Sequence, residues 1–148
     1  SSWQGAQQGQ IANYLVNDSD FCTINFGFCN TNLAVGFVAG RFAEQLENEG
    51  VGAATNFCLE GLKAIFGNNV TKCINRTTET AWKGNLYTLG SYSYALPGSI
   101  DARLRLSETL ADRLFFAGEA TMPNAQATVH GAYLSGIKVA EKIALIDG

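Results

Sequence analysis

The chain has 148 residues, a formal net charge of −3, 47% hydrophobic residues and only 16% charged ones. That is one domain's length with enough apolar side chains to bury a core, and its charge is below the usual quarter. The absence of a basic stripe argues against nucleic-acid binding, and no apolar run reaches the roughly 18–20 residues of a membrane span.

The first twenty residues are rich in Gln, Asn, Ser and Asp, with a small apolar cluster at Ile11, Tyr14, Leu15 and Val16. They read as loop with at most a turn of helix. The chain begins Ser1-Ser2-Trp3-Gln4, polar, uncharged and without methionine. This start is not signal-like, and it suggests a fragment or a processed chain.

Phe21 to Cys29 is aromatic and reads as a strand, Asn30-Thr31-Asn32 as a turn, and Leu33 to Val38 as a second strand, which together suggest a hairpin. A helix is expected over Arg41 to Glu49, with Phe42 and Leu46 on one face and Gly50 and Gly52 as stops. A second is expected over Ala53 to Phe66, with Phe57, Cys58, Leu62 and Ile65 on one stripe and Gly67 as the stop. Val70 to Trp82 looks extended.

Leu114-Phe115-Phe116-Ala117, closed by Gly118, reads as a short buried strand. A polar loop with Pro123 and Asn124 follows. From about Gln126 the apolar residues Val129, Tyr133, Gly136, Ile137, Ala140 and Ile143 recur at helical spacing. A helix start exposes unpaired N–H groups and partial positive charge, which suit an anionic or electron-rich ligand. Thr128 is placed to cap it. Ala127, Gly131, Ala132, Ser135 and Gly136 are small enough to let the helix lie close to its neighbour. By pattern alone this is also an ordinary αβ packing unit.

The residues themselves carry more. FFAGEAT (115–121) followed by TVHGAYLSG (128–136) resembles the C-terminal FAD-binding signature of the flavin-dependent amine oxidases, among them polyamine oxidases, L-amino-acid oxidases and lysine-specific histone demethylases. NLAVGFVAGRFAEQLE (32–47), GLKAIFG (61–67) and TAWKGNLYTLGSYSYALPGS (80–99) resemble the stretch that precedes that signature. The likeness runs from about Ile24 to Ile143, while residues 1–20 match nothing.

The resemblance implies a mixed α/β (α+β) fold: the C-terminal part of a two-domain FAD-linked enzyme. Residues 1–20 would be a polar N-terminal segment, 21–81 part of the substrate-binding domain, and 82–148 the C-terminal part of the FAD-binding domain. Gly118 and Glu119 would approach the FAD ribose and phosphate region, and Thr128 and Val129 would meet the flavin ring. Trp82 and Tyr87 take positions that pack near the isoalloxazine in the family, and both read equally as core residues.

Tyr92, the first tyrosine of the GSYS run, would stand beside the flavin and orient an amine. The family usually sets a second aromatic opposite it, eight residues after the FAGE glutamate. That position is Ala127 here, so the cage would have one wall and a wide mouth. The implied reaction takes hydride from the carbon beside an amine nitrogen onto the flavin. The imine is then hydrolysed, and oxygen reoxidises the flavin to give hydrogen peroxide.

The family's G-x-G-x-x-G dinucleotide turn has no counterpart here, because Gly5 and Gly9 lie in a glutamine-rich stretch with no preceding strand. The family's flavin-proximal lysine has none either. The chain is therefore expected to supply one wall of a cofactor site and to need an N-terminal half or partner chain. A non-catalytic subunit that pairs with a flavin-bearing chain is the alternative of a different class, and a secreted structural domain is a third.

His130, the single histidine, reads as a packing or hydrogen-bonding residue rather than a catalytic one. Cys22, Cys29, Cys58 and Cys73 form no CxxC pair, which argues against zinc and leaves disulfide pairing open beside free thiols. Sequons at Asn17, Asn69 and Asn75 tilt the reading slightly toward a secretory origin.

Overall fold

A computed structural model describes residues 9–99 and 101–146. The start of the polar segment, with Gly5, lies outside the described residues. The chain divides into two compact units, Ser1–Leu89 and Gly90–Gly148. Helices mix with a small antiparallel sheet, in line with the α/β class expected.

The first unit is a three-stranded sheet backed by a helix. Strands β1 (Ile11–Leu15), β2 (Phe21–Phe26) and β3 (Ala34–Phe37) lie in that order, each antiparallel to the next. Strand period sets the core: Cys22, Ile24 and Phe26 alternate along β2 and are 0–2% exposed. The register places Tyr14 across from Cys22, Ala12 across from Ile24, and Gly36 across from Ile24 on the other side.

Strand β1 corrects the expectation of loop. Its polar and apolar residues do not alternate cleanly, because Ile11 and Leu15 point to the exposed face with Asn13. Pairing with β2, not its own pattern, makes it a strand. The β1–β2 connection is an Asx turn in which Asn17 Oδ1 accepts the N–H groups of Ser19 (2.8 Å) and Asp20 (2.9 Å). Strand β2 ends three residues earlier than expected. Gly27 turns left-handed at φ 65, and Phe28–Asn30 forms a 3₁₀ turn.

Helices α1 (Gly40–Glu49) and α2 (Ala53–Phe66) fall where the glycines bracket them. Helix α1 buries Phe42 and Leu46. Helix α2 lies on the sheet through Leu62, with Phe57, Cys58 and Phe66 packed against the core. Gly61 makes room for Tyr14, since a Cβ there would sit 2.9 Å from that ring. Phe57 contacts Tyr14 (ring centroids 5.3 Å apart) and Phe42 (4.7 Å). Ile65 is not on the buried stripe and is 40% exposed. Phe66 takes that place, edge-on to Phe26.

The segment expected to be extended from Val70 begins instead with a 3₁₀ turn, Asn68–Cys73, that tucks Val70 into the core. Glu79, further along, caps α2 from a distance. Its carboxylate accepts the N–H of Gly52, the N–H of Thr55 (2.9 Å) and the Thr55 hydroxyl (2.8 Å). All four cysteines are free thiols. The hydrogen bond between Cys22 and Cys58, aided by burial, pushes the Cys22 thiol far up, and the same bond lowers Cys58 against its own burial.

The second unit holds α3 (Ala102–Leu106), a 3₁₀ turn at Glu119–Thr121, and α4 (Val129–Ile146). Leu114–Ala117 is not the buried strand expected. Only Leu114 makes a bridge, to Leu110 four residues away, and it is 51% exposed. A strand needs a neighbour for its backbone groups, and this unit has no strand among its described residues. Helix α4 starts at Val129 rather than Gln126. It buries Gly131 and Ser135, while Tyr133, Leu134 and Ile137 stay exposed. No described helix is long and apolar enough to cross a membrane.

Candidate functional site

The site in the second unit is built where three segments meet: the GSYS run, the loop after Ala117, and the start of α4. Glu119 joins them. One carboxylate oxygen accepts the Ser93 N–H (2.7 Å). The other accepts the Ser93 hydroxyl (2.8 Å) and the Ala127 N–H (2.6 Å). The hydroxyl that completes this arrangement belongs to the neighbour of Tyr92, so the same contacts fix the backbone that carries the tyrosine.

Burial pushes the Glu119 carboxyl up. The Ala127 N–H, both Ser93 donors and the positive charge of Arg103 outweigh it and hold the group below its ordinary 4.5. Glu119 is therefore an anion at neutral pH, as a carboxylate accepting several donors should be.

Two small residues bring α4 against the loop. Ser135, 2% exposed, accepts the Gly118 N–H through its hydroxyl (2.8 Å) and donates back to Ala132 O (2.7 Å). Gly131 admits the Ala125 carbonyl so closely that a Cβ there would lie 1.9 Å from the oxygen. Just before the helix, Ala127 turns left-handed at φ 58, a conformation that costs an alanine about 1–2 kcal/mol. Its N–H donates to Glu119.

Thr128 caps α4 as its position suggests. Its hydroxyl accepts the Gly131 N–H (3.0 Å) and donates to Ala125 O (2.6 Å), and its carbonyl accepts the Ala132 N–H (3.1 Å). The first two helical N–H groups, those of Val129 and His130, have no intrahelical acceptor. The Val129 side chain beside them is 88% exposed. His130 Nε2 stands 3.4 Å from the Thr128 hydroxyl, a hydrogen-bonding place of the kind expected for it. No cluster of three metal-ligating side chains occurs among the described residues.

The structure thus gathers Gly118, Glu119, Ala127 and Thr128 with the start of α4, and ties the chain at Tyr92 to them through Ser93. Tyr92 itself is 64% exposed. Trp82 and Tyr87 belong to the first unit. There Glu47 accepts the N–H groups of Lys83 (3.2 Å) and Gly84 (2.8 Å), pinning the turn after Trp82, and Thr88 donates to Trp82 O (2.9 Å). Tyr87 is almost fully exposed.

Ser93, Ser135 and Arg103 are the site residues that sequence reasoning missed. Ser93 was legible as part of GSYS and Ser135 as one of the small residues of α4. Arg103 gave no signal, since nothing in the pattern of ARLRL (102–106) marks one arginine as buried.

A family model for flavin containing amine oxidoreductases matches residues 4–144. A possible lysine-specific histone demethylase 1 of Drosophila melanogaster is 40% identical over 119 residues, covering 72% of this chain and 13% of that protein. A lysine-specific histone demethylase 1 homolog 2 of Arabidopsis thaliana is 39% identical over 74% of this chain and 15% of that protein. Polyamine oxidase 2 of Arabidopsis thaliana is 35% identical over 70% of this chain and 21% of that protein. The chain therefore spans between about an eighth and a fifth of the length of these relatives.

Proposed function

Because the chain belongs to the flavin-containing amine oxidoreductase family, we propose that it is the C-terminal part of an FAD-dependent oxidase that acts on an amine. The observation that carries this reading is the convergence on Glu119 at the start of α4. An ionised carboxylate suits ribose hydroxyls, and two open N–H groups at a helix start suit the electron-rich edge of a flavin. The residues at this site fit such a cofactor.

In this reading Gly118 and Glu119 hold the nucleotide side of FAD, and Thr128 and Val129 present the helix start to the ring. Trp82 and Tyr87 occupy the positions that pack near the isoalloxazine in the family. Bound FAD supplies the redox chemistry, accepting hydride from the carbon beside the amine nitrogen and passing the electrons to oxygen with release of hydrogen peroxide. Tyr92 orients the amine, and Ala127 leaves the opposite wall open. The substrate is accordingly a polyamine, an amino acid or a lysyl side chain reaching in through a wide mouth. Residues 21–81 contribute to the substrate side and 82–148 to the FAD side. The remainder of the FAD site comes from an N-terminal half or a partner chain.

The test is a pair of substitutions in the complete enzyme. Tyr92→Ala is expected to lower turnover far more than FAD retention. Glu119→Gln, which removes the charge and keeps the shape, is expected to weaken FAD binding first. Equal loss of both properties in Tyr92→Ala, or unchanged FAD affinity in Glu119→Gln, would count against these roles.

A further inference from the structure

Arg103, on α3, is a buried cation, 8% exposed. The ion pairs among the described residues are Lys63–Glu60 and Lys83–Glu44, so Arg103 pairs with no described carboxylate. A buried charge needs compensation, and Arg103 finds it through Ser93. Its Nη1 donates to the Ser93 hydroxyl oxygen (2.6 Å) and to Ala120 O (3.2 Å), and its Nη2 donates to Ser93 O (3.4 Å).

The direction of this chain of hydrogen bonds is forced. A guanidinium has donors only. Ser93 Oγ must accept from it, which leaves the single hydroxyl proton for Glu119, 2.8 Å away. The Ser93 N–H goes to the other carboxylate oxygen at 2.7 Å. Ser93 is thereby held at its N–H, its carbonyl and its hydroxyl, between Arg103 on one side and Glu119 on the other.

We infer that Arg103 is a positioning residue for the cofactor site: acting through the Ser93 hydroxyl, it orients the Glu119 carboxylate and fixes the backbone that carries Tyr92. The inference rests on the reading in which Glu119 holds FAD, and it adds a residue two steps away from the cofactor. Its Coulombic pull on Glu119 supports the same arrangement. The cationic donor at position 103 matters, rather than the bulk of the side chain.

The test measures FAD affinity of the complete enzyme by flavin fluorescence for wild type, Arg103→Lys, Arg103→Met, Ser93→Ala and the Arg103→Met/Ser93→Ala double variant. Far-UV circular dichroism checks that each folds. Arg103→Met is expected to bind FAD about 10- to 100-fold more weakly, the range of a lost hydrogen bond to a charged group. Ser93→Ala is expected to reach the same range while the cation keeps its bonds to Ala120 O and Ser93 O, which keeps the test open if Arg103→Met misfolds. Arg103→Lys keeps a cationic donor but not the two-nitrogen fork, and is expected to fall between wild type and Arg103→Met.

The double variant is expected to be no weaker than the weaker single one, because both cut one relay. Wild-type affinity in Arg103→Met, a loss in Arg103→Lys equal to that in Arg103→Met, or additive losses in the double variant overturn the relay alone. A wild-type enzyme that binds no FAD overturns the functional reading and this inference with it.

Discussion

Gly131→Ala separates packing from propensity. Gly131 lies in the first turn of α4, where its backbone is ordinary helix, so propensity alone forecasts a gain of about 1 kcal/mol from alanine. The structure forecasts the opposite sign. The new Cβ would lie 1.9 Å from Ala125 O and 2.9 Å from both Ala125 C and Thr128 Oγ1. The 1.9 Å contact is with backbone and has no rotamer escape, so the loop must recede by roughly 1 Å to bring that oxygen to even the 3.0 Å that real contacts respect.

That movement pulls the Thr128 hydroxyl off the Gly131 N–H, a cap worth about 1 kcal/mol. It also draws the Ala127 N–H from Glu119, a charge-assisted bond worth about 1.5–3 kcal/mol. Set against the propensity gain, the net is a destabilisation of about 1.5–3 kcal/mol, or on the order of 10 °C in the melting midpoint of a unit this small. Thermal unfolding by far-UV circular dichroism reads the midpoint, and amide exchange at Ala127 and Gly131 reads the local opening. A midpoint at or above wild type would refute the close approach of the loop to α4.

Two further predictions concern the first unit. A Cβ on Gly36 would lie 2.4 Å from Cys58 Sγ. Gly36→Ala is expected to cost about 1–3 kcal/mol in urea unfolding, and Cys58→Ala in the same chain to recover much of it; an additive double variant would exclude this contact. Glu79 is held below its ordinary 4.5 by the Gly52 N–H first, then by the two Thr55 donors. A depressed carboxyl lends stability that is complete above the unfolded value and lost as pH falls through the folded one. Acid unfolding of this unit is expected to steepen below about pH 4.5. Glu79→Gln is expected to flatten that slope and to cost about 1 kcal/mol at neutral pH; superimposable acid curves would remove Glu79 from the account.

The legible parts of the chain were those whose cause is local. Helix α2 begins and ends where Gly52 and Gly67 say it should, because glycines that adopt positive φ mark helix ends directly. Thr128 was readable as a cap for the same reason. Strand β1 was not legible, since its ladder depends on β2. Nor was the fate of Leu114–Ala117, whose apolar run gives a strand only if another strand lies beside it.

At the candidate site, motif and chemistry pointed to Glu119 and Thr128. Which groups meet Glu119 was invisible, because Ser93 and Ala127 lie 26 and 8 residues away from it in sequence. Arg103 was hidden for a stronger reason. An arginine in a short charged helix is normally solvated, and only the fold shows that this one is buried against Ser93.

The most direct measurement is the visible absorption spectrum of the complete protein after incubation with FAD and desalting, followed by anaerobic addition of a polyamine, an amino acid or a methylated-lysine peptide. The account predicts a retained oxidised-flavin band that bleaches with one of these amines and returns when oxygen is admitted. A protein that keeps no flavin, or a flavin band that none of these amines bleaches, would contradict it.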